Sequence, residues 1–296
     1  MKHLTPALKE TFQLLVDMGR CGQTPKPSKW NYLLSLNHPE VEAILLVLGC
    51  IFGWNKIVET CLEHQVPVDS LISKETQALY FDTLFYKRFT ANINPLGAAL
   101  FYQHYHLALL LLEKGANPNL LMDKDIDLRV GDLISIQKLD EIPIEPPSSL
   151  FQQVCLTMIQ KGWDIYQTDK LGRSFAFFAI EWGNLNALSF FFKQDKDRLW
   201  VSEDERVERF HSLLNKWKYV QDSFSWGPIE EIESKEFKKQ HLLQIFELWF
   251  SAYPQDEAIV IQNDSSYFEQ LMVELNQYRF EHHIPKAKHE HIYTRL

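Results

Sequence analysis

The chain has 296 residues and a formal net charge of −9, with 46% hydrophobic and 23% charged residues, an ordinary globular composition with enough length for a sizeable core. This acidity argues against nucleic acid as a ligand, because phosphates are neutralised by clustered Lys and Arg, and it fits a basic protein partner reached by electrostatic steering. Cys21, Cys50, Cys61 and Cys155 show no C-x-x-C spacing and read as free thiols of a reducing compartment, Cys50 and Cys61 as buried ones. The first ten residues lack the apolar core of a signal peptide, and the apolar run at 44–52 is too short to span a bilayer, so the expected location is cytoplasmic, with no membrane association.

Taken in order, Thr5 as cap, Pro6 in the first turn and Leu8, Phe12 and Leu15 at helical spacing predict a helix over 5–18. Residues 19–29, with Gly22, Pro25 and Pro27, read as a loop. Helical patterning returns at 30–36 and 39–52; after Gly53 it resumes at Ile57 and Val58 and ends at Leu62, Glu63 and His64. Leu71, Ile72, Leu79, Phe81, Leu84 and Phe85 suit an inserted helix between 70 and 90. The most informative stretch is 94–119, N-P-L-G-A-A-L-F-Y-Q-H-Y-H-L-A-L-L-L-L-E-K-G-A-N-P-N. Pro95 opens a helix, and Ala98 and Ala99 let a neighbour approach closely. The apolar run at 107–112 closes at Glu113, Lys114 and Gly115 as a helix with a glycine C-cap. A helix pair of this kind cannot bury both faces alone, so copies must stack.

Residues 94–119 resemble an ankyrin repeat, whose pattern T-P-L-H-x-A-A-x-x-G-H-x-x-I-V-x-L-L-L-x-x-G-A-D-x-N aligns without gaps. Asn94, Gly97 and Gln103 replace Thr, His and the inter-helix Gly. In the same register a second copy begins at Ile44, with Gly53 as the inter-helix glycine and Val66-Pro67-Val68-Asp69 in place of G-A-D-V-N. Its first position lies fifty residues before Asn94, which leaves about 17 residues of insertion over a period of about 33.

Residues 120–147 read as irregular, and Ile142-Pro143-Ile144-Glu145-Pro146-Pro147 as non-helical. A helix over 148–161 leads to Gly162-Trp163-Asp164-Ile165-Tyr166 at the place of the closing G-A-D-V-N. A third copy spans 169–192: Asp169, Gly172 and Ser174 resemble a D-x-x-G-x-T opening, Ala179 takes the small position, and Gly183-Asn184-Leu185 matches G-H-L. Phe175, Ala176 and Phe177 replace P-L-H. Beyond it, 203–220, 235–252 and 264–282 read as amphipathic helices, either divergent repeats or, the favoured reading, a cap over the last apolar face. The resemblance thus implies an all-α, ankyrin-type helical solenoid with irregular insertions and a helical C-terminal cap. It would divide into a divergent array with N-terminal helices over 1–195, a helical C-terminal region over 196–282 and a tail over 283–296.

Asp123, Asp125 and Asp127 begin like a calcium loop, but Leu128 and Ile134 stand where Gly and Glu are needed. His282, His283, His289 and His291 fall in or beside the terminal tail, and His104 and His106 lie at a helix junction, where a polar side chain bonds a carbonyl. No metal or cofactor is expected. Without G-x-S-x-G, H-E-x-x-H, a P-loop or a dinucleotide fingerprint, the chain reads as a non-enzyme. The competing enzymatic reading would need a site assembled from distant segments in the C-terminal helices.

In ankyrin arrays the two residues before the inter-helix glycine line the concave binding surface. The resemblance therefore assigns partner contact to Ile51, Phe52, Phe101, Tyr102, Glu181 and Trp182, joined by the hairpin-tip residues Lys170, Leu171 and Arg173. Bulky apolar and aromatic side chains suit interface anchors; the opposing expectation is that neighbouring helices cover them. The implied function is a protein–protein interaction module, an inhibitor or immunity-type protein that occludes a basic partner. A secreted effector or scaffold engaging host proteins is the rival.

Overall fold

The computed structural model describes residues 5–73, 75–77, 92–125, 127–136, 149–194, 198, 202–222, 229–261 and 266–284, of which 219–222, 229–238, 258–259, 261 and 266 are described by backbone alone. Leu79, Phe81, Leu84 and Phe85 of the expected inserted helix, the 142–147 stretch and the tail from 285 lie outside them. The chain is mostly helical and divides into two units, 1–173 and 174–296.

In the first unit, prolines start four helices: α1 (Pro6–Arg20), α2 (Pro27–Ser35), α3 (Pro39–Phe52) and α5 (Pro95–Phe101), the last following α4 (Asn55–Glu63). The ring fixes φ near the helical value and removes an N–H that has no intrahelical acceptor there. This also corrects the expected loop at 19–29: α1 runs on to Arg20, and Pro27 is already the first residue of α2. The cap at Thr5 is as expected, its hydroxyl accepting from the Leu8 N–H at 3.4 Å. Every residue of α3 from Ala43 to Ile51 is buried, because α3 packs against α1, α2, α4 and α5.

The local geometry recurs. Gly53 ends α3 with φ 67°, and Trp54 N–H closes onto Gly49 O at 2.9 Å. After α5, Gln103 takes the same left-handed φ, 60°, with His104 N–H on Ala99 O at 2.9 Å, before α6 (Tyr105–Glu113). The second helices end alike. After α4, after α6 and after α7 (Ser149–Gln160), left-handed Gln65, Gly115 and Gly162 are followed by Val66, Ala116 and Trp163, whose N–H groups bond Cys61, Leu111 and Met158 O at 2.9–3.0 Å. Such turns satisfy carbonyls that the helix end leaves unpaired. A side chain at positive φ costs about 1–2 kcal/mol, partly offset by the freedom glycine gains when unfolded. Gln103→Gly is therefore expected to stabilise the protein by about 0.5–1 kcal/mol in urea denaturation.

The irregular stretch after α6 contains an element that its sequence does not announce. Strands β1 (Leu121–Asp123) and β2 (Leu128–Arg129) pair antiparallel, and a 3-10 turn at Gly131–Ile134 packs on α5.

In the second unit, α8 (Phe175–Trp182) and α9 (Leu185–Phe192) form a hairpin around left-handed Gly183, φ 66°. Ser174 Oγ caps α8 by accepting from Phe177 N–H at 3.2 Å, and Asn184 Oδ1 caps α9 by accepting from Ala187 N–H at 3.0 Å. Helices α10 (Glu203–Asp222), α11 (Ile229–Ala252), α12 (Pro254–Ile261) and α13 (Ser266–Glu281) follow. Phe210, Trp217, Phe246, Trp249 and Phe250 are at most 1% exposed and form the aromatic core. Because α8 packs on α10, and α9 on α11, this hairpin shares its core with the C-terminal helices. The boundary between the two compact units accordingly falls at 173/174.

Candidate interaction surface

Two of the six residues assigned to the inter-helix edge are interior. Ile51 is 2% exposed and Phe101 6%, a correction to their assignment as contact residues. Both lie in the last turns of helices that pack on each other, α3 and α5, so a partner cannot reach them. Phe52 is half-buried: a Cβ at Gly19 of α1 would stand 2.5 Å from its ring, and Trp54 lies 4.9 Å away between ring centroids. Tyr102 is half-buried, edge-on to Phe101 at 5.1 Å.

On the second unit the corresponding edge is engaged by the chain's own helices. Glu181 is exposed in the last turn of α8, and its carboxylate pairs with Lys216 of α10 at 3.1 Å. Lys216 Nζ also donates to Ile180 and Glu181 O, each at 3.4 Å. His241 Nε2 of α11 donates to Gly183 O, and the Arg209 guanidinium lies 4.3 Å above the Phe177 ring. The Lys216 ammonium at the unpaired carbonyls of the α8 C-terminus complements the helix dipole. Burial holds His241 below its ordinary pKa, against the pull of the Gly183 carbonyl. Trp182 is half-buried. Glu181 thus stays at the surface while bridging to α10.

The hairpin tip of the first unit is different. Asp169 organises it: Oδ1 accepts from the Leu171 N–H at 2.9 Å and the Arg173 N–H at 2.8 Å, and Oδ2 accepts from Arg173 Nε at 2.7 Å. Gly172 supplies the left-handed residue, φ 73°. Lys170 donates to Lys124 O and pairs with Asp127 at 3.6 Å, which ties the tip to the β1–β2 ribbon. Below the ribbon, Asp132 Oδ2 accepts from the Arg129 N–H at 3.0 Å. Burial pushes the Asp132 carboxyl up to about 6, against the lowering influence of Arg129. Trp163, 2% exposed, sits where a Cβ on Gly131 would come 2.5 Å from its indole nitrogen. With Lys170 and Arg173 committed to internal partners, Leu171 remains at the apex, 65% exposed.

The assigned residues therefore do not form one class. Ile51 and Phe101 are core, Phe52, Tyr102 and Trp182 are half-covered, and Lys170, Leu171 and Arg173 share one ordered tip. Asp169 is the organiser that was not assigned; its signal was the D-x-x-G opening, where a short acidic side chain folds back onto the turn's N–H groups.

Burial raises the Cys50 and Cys155 thiols well above their ordinary range and pushes Cys61 up to about 12, so these sulfurs stay protonated and unreactive. Asp123 Oδ1 accepts from the Asp125 N–H at 2.8 Å as a ribbon turn. Among the described residues, no group of three or more His, Cys, Asp or Glu side chains is placed to hold a metal, and no helix is long and apolar enough to cross a membrane. In comparisons with known proteins, no family model matches the chain, and no curated protein matches it.

Proposed function

We propose that the chain is a protein-binding module of the ankyrin type, a helical solenoid with irregular insertions and a helical C-terminal cap, and that it binds its partner through the 169–173 tip. The observation that carries the reading is Leu171, 65% exposed on a turn whose backbone is held by Asp169. An apolar side chain presented on a pre-ordered turn binds without the entropy cost of ordering a loop, which is how small anchors become strong ones. The recurring pair of left-handed helix ends, at Gly53 and Gln65 and again at Gln103 and Gly115, supports the repeat reading. Half-covered Phe52 and Tyr102 would extend the contact. The net charge of −9 favours a basic partner, which the chain would occlude as an inhibitor or immunity-type protein.

Leu171→Asp tests this directly. Tagged wild-type chain, purified from its own cells, is expected to retain one partner in a salt-sensitive complex, and the variant to retain at least about tenfold less with an unchanged thermal melt. Equal recovery of the same partner by both would end the reading. A scaffold or secreted effector would use the same tip, and the identity of the retained protein separates the cases.

A further inference from the structure

Helix α13 has one side in the core and one side open. The inner side, with Leu271, Leu275 and Tyr278 buried, packs on α10, α11 and α12, and Arg279 is held inside by Glu247 and Glu257. On the outer side stand Phe280, 82% exposed, and Val273, 67%, the two most exposed large apolar side chains among the described residues. Seven positions apart, they lie within about 20° of each other around the helix and about 10.5 Å apart along it. Single exposed apolar side chains are ordinary, whereas two aligned on one helix face form a stripe that marks a docking surface.

The stripe complements itself. Its midpoint falls between Asn276 and Gln277, so a second α13 laid antiparallel about that point sets Val273 of each copy against Phe280 of the other. The same register brings exposed Glu269 of one copy beside exposed His283 of the other, and Glu281 beside Gln270. His283 is left-handed, φ 52°, and Ile284 N–H closes onto Arg279 O at 2.9 Å, which fixes the imidazole at the helix end. A parallel arrangement would instead set Glu269 on Glu269 and Glu281 on Glu281, like charges that repel. Antiparallel axes also bring opposite ends of the two helix dipoles together. Gln270 and Gln277 donate to Glu274 and Glu281 at 3.0 and 2.8 Å, so the amides flanking the stripe are already ordered.

We propose that α13 is the contact of a twofold-symmetric homodimer, in which two antiparallel copies of this helix bury Val273 and Phe280 against each other. In such an isologous pair one surface patch serves both partners. The contact lies within the second unit and does not depend on what the 169–173 tip binds.

Sedimentation equilibrium of the full chain tests this, in salt high enough to screen the repulsion between copies at −9 each. The wild type is expected to rise with concentration to twice the monomer mass. Phe280→Glu and Val273→Glu should each weaken association by at least about tenfold with an unchanged thermal melt, while Leu171→Asp associates like the wild type. Cys50, Cys61 and Cys155 are buried, so in a Cys21→Ser background a short bis-maleimide reads the register. It should join Gln277→Cys chains to each other and leave Glu269→Cys chains, whose thiols would lie about 22 Å apart, unjoined. A wild type that stays monomeric, association that survives both glutamates, or joining at 269 in preference to 277 would each overturn the dimer. A monomer that pairs only once residues 285–296 are removed would overturn it too, giving the stripe to that segment instead.

Discussion

Asp256→Ala is expected to destabilise the second unit by about 3–5 kcal/mol, lowering its melting temperature by about 10 °C or more. Asp256 is fully buried, and Oδ2 accepts from Arg206 and, at 2.8 Å, from Trp249 Nε1. Arg206 is itself 6% exposed, held over the Tyr253 ring at 5.0 Å and bonded to Glu203 at 3.2 Å. Alanine would strand the guanidinium among aromatic rings and leave the Trp249 N–H without its acceptor. The cost arises from the partners left behind, so the double change Arg206→Met with Asp256→Leu should recover much of the loss. Urea denaturation of the three variants checks both statements. A single-variant loss under about 1 kcal/mol would show the pair to be solvated.

Phe151→Ala is expected to cost the first unit about 3–5 kcal/mol. The ring is 0% exposed and meets Tyr105 edge-on at 5.6 Å, which joins α7 to α6. Truncation leaves a cavity on the one face that α7 packs against α6. Leu156 on the same helix is 49% exposed, and its replacement by alanine should fall within about 0.5 kcal/mol of wild type. Similar losses for the two variants would mean that α7 is not docked through Phe151.

These features differ in how far the sequence announced them. Helix starts at Pro6, Pro39 and Pro95 and the turns at Gly53 and Gly183 were legible, because proline and glycine act on their own backbone. Gln103 shows the limit of that rule: the turn persists where glycine is absent, since the hydrogen bond from His104 to Ala99 holds it. His104 and His106 reach Ile51 O and Asn55 Oδ1 of the preceding hairpin; that junction role was legible, though not its acceptors. Burial of Ile51 and Phe101 was not, because it depends on which helix lies opposite. The β1–β2 ribbon was missed because two or three residues per strand give no alternation to read. The pairing of Lys216 with Glu181, and of His241 with Gly183, joins residues 35 and 58 positions apart, beyond any local pattern.

The last hairpin has a consequence for how such a chain can grow. Phe192 lies edge-on to Trp249 and Tyr253 at 6.0 and 5.7 Å, and the carbonyls at the end of α8 are spoken for by Lys216 and His241. A gene duplication that inserted another helix pair directly behind α9 would have to evict those aromatic rings and re-house three backbone oxygens. An insertion behind α9 therefore carries a penalty that one in an exposed connection would not.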